Sequence, residues 1–220
     1  MKRFSLLLCL IFCSLLLQAQ ELKKVRTSKK FNGFTIKENC TVLKSDEDIK
    51  QGEYKRVIER SVLTGQYSNN LRSGIWQAFD ETKLVQQINF DTGEVMHYQP
   101  GKLFSKVYIL SDDGKEKTET EQEPILVGGY PVVFSVVSKN LRISEDLKKA
   151  KKNSVVILSG VVTKEGRMTN RKITQPIGDS TDNLVLELFS QLPDDWLPVK
   201  VNGVCVNALV EFVIKLTFVP

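Results

Sequence analysis

The chain has 220 residues, 41% of them hydrophobic and 26% charged, with 13 Gly, 7 Pro and a formal charge of +5. This apolar content excludes a disordered chain, and the low Gly and Pro counts exclude a collagen-like one. The charge is small and no basic block is interleaved with aromatics, which argues against a nucleic-acid partner.

Lys2 and Arg3 precede an apolar stretch from Leu6 to Leu17 interrupted only by Ser14, and Gln18-Ala19-Gln20 offers a small residue for cleavage. Residues 1–19 are therefore expected to be a secretory signal peptide, because a spanning helix needs about 20 apolar residues. An uncleaved inner-membrane anchor is the alternative. Cleavage leaves a formal charge of +3 and two of the four cysteines, Cys40 and Cys205. These form one disulfide in an oxidising compartment or stay as two buried thiols.

Within residues 20–110 a Gly followed two places later by an aromatic recurs, in Gly52-Glu53-Tyr54, Gly65-Gln66-Tyr67 and Gly74-Ile75-Trp76. Such spacing predicts short hairpins with Gly at a turn or bulge and the aromatics on one sheet face. Asp91-Thr92-Gly93 supplies another turn. The phrase Gly65-x-Tyr67, Gly74-x-Trp76-x-x-Phe79-Asp80, Gly93 resembles MORN-like repeats, with Glu81-Thr82 standing where that family often has Gly. The resemblance implies stacked hairpins that act as a spacer or binding surface. From Ser111 to Pro124, eight of fourteen residues are charged and none is large and apolar, so residues 111–123 read as a linker.

In residues 124–220 every even position from Val204 to Phe218 is apolar, which predicts a long strand with one buried face. Asn202-Gly203 before it predicts a hairpin that folds Trp196–Val201 back on its first half. Val155–Thr163 and Arg167–Thr174 flank Lys164-Glu165-Gly166 as a second hairpin. Leu184, Leu188 and Leu192 predict a helix capped by Ser180 or Asp182 and ended by Pro193. Val133, Val137 and Leu141 predict an earlier one ending near Asn140. The expected fold is thus an N-terminal, mostly-β hairpin region followed by an α+β C-terminal domain, with two helices on one face of a small antiparallel sheet.

Gly128-Gly129, the Pro193-x-x-Trp196-x-Pro198 run and Asn202-Gly203 before the final strand together resemble the C-terminal domain of TonB-type energy transducers. Ile143-Ser144 and Val199-Lys200 depart from that pattern. The resemblance implies a periplasmic domain that captures an extended segment of an outer-membrane receptor or other envelope protein by strand addition, with a link to TonB-dependent transport. The last strand is the expected edge, with Val213, Lys215 and Thr217 on the face away from the core; pairing of two chains through it is the competing use. Two further readings are a membrane-anchored transducer and a MORN-type scaffold or immunity-type interaction protein.

No enzyme is expected. His97 is the one histidine and has no nucleophile context, Asp112-Asp113-Gly114 lacks the acid spacing of a calcium loop, and Asp194-Asp195 read as a turn before Trp196. No metal site or cofactor is expected either.

Overall fold

The computed structural model describes residues 21–31, 33–101, 104–111, 113–114, 117–141 and 154–216. The predicted signal peptide, Thr217 and Phe218 lie outside them.

Seven consecutive strands pair with their neighbours in chain order and make one antiparallel meander: β1 (Leu22–Lys30), β2 (Thr35–Leu43), β3 (Lys50–Ile58), β4 (Ser61–Ser68), β5 (Leu71–Asp80), β6 (Lys83–Asn89) and β7 (Glu94–Tyr98). Tight turns join them. Asn69 and Asn70 both take left-handed conformations (φ 48° and 66°) in the β4–β5 turn. Glu81, at the irregular repeat position, does the same in the β5–β6 turn (φ 56°).

The second large sheet has the order β12-β11-β16-β8-β9, from β8 (Phe104–Leu110), β9 (Lys117–Glu119), β11 (Ser154–Val162), β12 (Met168–Gln175) and β16 (Ala208–Leu216). Two short ladders complete the strands. β10 (Ile125–Leu126) pairs with β13 (Trp196–Leu197), and β14 (Lys200–Val201) pairs with β15 (Val204–Cys205) across Asn202-Gly203. The helices are α1 (Tyr130–Asn140) and α2 (Asp179–Gln191).

The expected hairpin of Val155–Thr163 with Arg167–Thr174 and both helices are present, and of the expected Trp196–Val201 hairpin only Lys200 and Val201 pair, with Cys205 and Val204. The expected fold class is not found. The described chain is mostly β, with sixteen strands against two helices, and residues 124–220 do not form a self-contained α+β domain. Their sheet takes β8 and β9 from before Pro124, and α1 packs on β4 of the seven-stranded sheet as well as on α2. Both helices on one face of a small local sheet is therefore incorrect. Lys117–Glu119, inside the charged segment read as a linker, is a strand paired with β8. The long last strand is also interrupted: Val204 is exposed at the hairpin tip, and burial alternates only from Ala208 onward. Trp196-Leu197 pairs with β10, not with the last strand.

Packing explains why the two sheets are not independent. One apolar cluster holds Phe34 from the β1–β2 connection and Ile58 from β3 together with Val107, Val136, Leu158, Leu188, Trp196, Val210 and Phe212. A second gathers Tyr54, Leu63, Trp76, Ala78, Val85 and Ile88 around Val127. Each cluster thus draws residues from both halves of the chain, Ile58 of the meander in the first and Val127 of the later segment in the second. Neither predicted cap residue occupies the α2 N-cap, which is Gly178; the Asp182 carboxylate instead accepts bonds from the amides of Ile177 (3.1 Å) and Gly178 (3.2 Å).

Candidate functional site

The aromatic of each Gly-x-aromatic unit packs in one ladder. Ring centroids of Tyr54 and Tyr67 lie 5.3 Å apart, Tyr67 and Trp76 5.1 Å, and Tyr54 and Trp76 5.3 Å. Phe90 extends the ladder at 5.7 Å from Trp76. Phe79, the aromatic of the repeat phrase, makes no ring contact among the described residues and is half-buried. Cations cover the ladder. The Lys50 ammonium sits 5.0 Å from the Tyr67 ring centroid and the Arg72 guanidinium 4.7 Å from that of Trp76.

Beside the ladder a cleft of about 830 Å³ opens between the first sheet and the turn after α2. Tyr54, Tyr67 and Phe90 line one side and Pro193, Asp194 and Asp195 the other. Two stretches singled out in the sequence for separate reasons therefore meet here. Arg72 joins the walls through a two-pronged ion pair with Asp195, one arm at 2.8 Å. Asp194 accepts the Met168 amide at 2.6 Å and faces Arg171 at 3.5 Å, and its carbonyl accepts from Arg167 at 2.7 Å. Glu38 accepts from the Tyr54 hydroxyl. The Asp194 carboxylate thus ties the turn to β12, and that of Asp195 ties it to β5.

Burial pushes the Tyr54 and Tyr67 hydroxyls above their usual range, and that of Tyr98 up to about 12. The folded state keeps these protons after the unfolded chain begins to lose them at pH 10.0. Stability is accordingly full below that pH and falls as pH rises through the raised values. In an alkaline titration followed by residue-resolved NMR and far-UV circular dichroism, Tyr54, Tyr67 and Tyr98 are expected to ionise only as the fold is lost; ionisation of any of the three near pH 10.0 with the fold intact contradicts this.

The four edge strands of the large sheets differ. Among the described residues β1, β7, β9 and β12 each pair on one side. β9 has three residues. A register shift leaves Met96 without an opposite residue in β7. β12 carries two register shifts and a left-handed Asn170 (φ 52°). β1 pairs with β2 over nine consecutive residues without a shift, and eight of its nine residues are exposed. Short length and bulges blunt the other edges; charge alone protects β1.

The strand predicted as the edge is interior only in its first half, and from Val213 to Leu216 it pairs with β11 alone among the described residues. β16 pairs with β11 along its whole length and with β8 from Ala208 to Phe212. Val213 on it is half-buried and Lys215 exposed. Gly128 and Gly129 are buried in the turn before α1, Trp196 is in the core, and Pro198 is half-buried. Asn202 and Gly203 form the β14–β15 turn. Gly65 lies against Trp76, Gly74 and Gly93 take positive φ (63° and 73°), and His97 is exposed on β7. Cys40 in β2 and Cys205 in β15 are free half-buried thiols, and burial raises the Cys40 pKa. Sequence reasoning missed β1 because five of its nine residues are Lys or Arg and no apolar alternation marks it.

No group of three or more His, Cys, Asp or Glu among the described residues is arranged to hold a metal ion. No helix among them is long and apolar enough to cross a membrane. Comparison of the chain with protein-family models, with curated proteins and with solved structures gives no match.

Proposed function

We propose that the chain is an exported, non-catalytic binding module of the periplasm that captures an extended segment of an envelope protein by adding it as a strand to the free edge of β1. The observation that carries this reading is the edge itself: nine residues in unbroken register with β2, exposed on the outer side. A strand of that kind offers a row of backbone donors and acceptors, from which strand addition draws its affinity. The Pro193-x-x-Trp196-x-Pro198 and MORN-like phrases support an envelope setting and a binding surface made of hairpins. The apolar N-terminal residues support export.

The test is site-specific photo-crosslinking in cells that express the full chain. A photoreactive residue at Ser28 on β1 is expected to yield a partner adduct, and one at Lys215 on β16 is not. Adducts from Lys215 alone, or from neither position, overturn the reading.

A further inference from the structure

We infer that the captured segment is acidic. This inference rests on strand addition at β1 and adds the chemical class of the partner.

The first observation is charge balance along the edge. β1 carries Lys23, Lys24, Arg26, Lys29 and Lys30. Lys23 is paired with Glu47 and Lys24 with Glu53 at 3.4 Å. Arg26, Lys29 and Lys30 make no ion pair among the described residues, and the neighbouring strand adds Lys37 opposite Ser28. Successive side chains of a strand point to opposite faces, so Arg26 and Lys30 share one face and Lys29 takes the other. An added strand with acidic residues beside these positions finds an opposite charge on both faces. A second copy of β1 meets like charge instead, which disfavours pairing of two chains by this edge.

The second observation comes from the cleft, whose lining includes Lys29 of that same strand. Every carboxylate on the lining already has a partner within the chain: Glu38 the Tyr54 hydroxyl, Asp194 Arg171, and Asp195 Arg72. The cations are not balanced in the same way. Lys29 and Lys50 have no carboxylate partner among the described residues, and buried Arg56 donates to the Val127 carbonyl at 2.9 Å. An anionic side chain entering the cleft thus finds five cations against three carboxylates, two of them already ion-paired, with Lys50 set over the aromatic wall.

The experiment uses the full chain and three synthetic probes matched in length to β1. One is an extended peptide with Glu at the three positions that fall opposite Arg26, Lys29 and Lys30, one has Gln in place of each Glu, and one is the Glu peptide with alternate backbone amides N-methylated. Binding is followed by fluorescence anisotropy. Cross-strand charge pairs at three positions are expected to make the Glu peptide bind roughly tenfold more tightly than the Gln peptide. That ratio should collapse at about 1 M salt, where screening acts over about 3 Å. The R26Q/K29Q/K30Q variant should bind both equally, and K50Q should narrow the ratio. All four side chains are at least partly exposed, so circular dichroism should confirm that both variants fold. Equal binding of the Glu and Gln peptides overturns the acidic partner and leaves strand addition standing. Undiminished binding of the N-methylated peptide overturns strand addition. Absence of binding by all three overturns both.

Discussion

Replacing Trp76 with Ala is expected to cost about 3–5 kcal/mol of unfolding free energy, the range for truncating a fully buried large aromatic. Trp76 is 1% exposed and contacts Tyr54, Tyr67 and Phe90 by ring and Arg72 by its guanidinium. Its indole N–H donates to the Gln66 carbonyl at 3.1 Å, a bond that Trp76→Phe also removes, for about 1 kcal/mol plus a smaller packing loss. Gly65 belongs to the same arrangement. A Cβ there lies 2.2 Å from the indole ring, so Gly65→Ala pushes the ring out of the ladder. Equilibrium denaturation measures all three variants. A cost below about 1 kcal/mol for Trp76→Ala contradicts the ladder as the centre of this core.

Gln86→Leu is the second large effect, expected at about 1–3 kcal/mol because it leaves the buried Gly128 amide without a partner and takes one of two donors from the Leu126 carbonyl, which keeps the Gly129 amide. Gln86 lies on β6 and is 1% exposed. Its amide nitrogen donates to the Leu126 carbonyl at 3.0 Å, and its oxygen accepts the Gly128 amide at 2.9 Å. This one side chain therefore ties the meander to the segment that leads into α1. Arg56 to Val127 and Arg72 to Asp195 make two further ties of the same kind. Unfolding followed separately by tryptophan fluorescence and by circular dichroism is expected to show a single transition, lowered in Gln86→Leu. Two resolved transitions in the parent chain show that the sheets unfold separately, contrary to a shared core.

Local chemistry made much of the fold readable from the sequence, and long-range pairing hid the rest. Asn202-Gly203 specifies its own turn, Gly-x-aromatic units place their rings on a common face, and Leu184, Leu188 and Leu192 mark a helix by spacing alone. Alternation from Ala208 onward told which face of β16 is buried, but it is silent about how many edges are paired. The partner on one of those edges, β8, lies about a hundred residues earlier. β9 looked like linker because an edge strand held by backbone bonds needs no apolar face. The cleft was unreadable for the same reason: Arg72 and Asp195, which join its walls, are 123 residues apart.

The proposed capture at β1 is consistent with the irregularity or short length of the other edges. A regular edge with charged side chains resists association with copies of itself while remaining open to a complementary strand. The most direct measurement is residue-resolved amide hydrogen exchange of the full chain with and without the Glu peptide. Alternate amides of β1, those pointing away from β2, are predicted to gain protection, while β7, β12 and β16 stay unchanged. Protection that appears on β12 or β16, with β1 unaltered, would contradict the account.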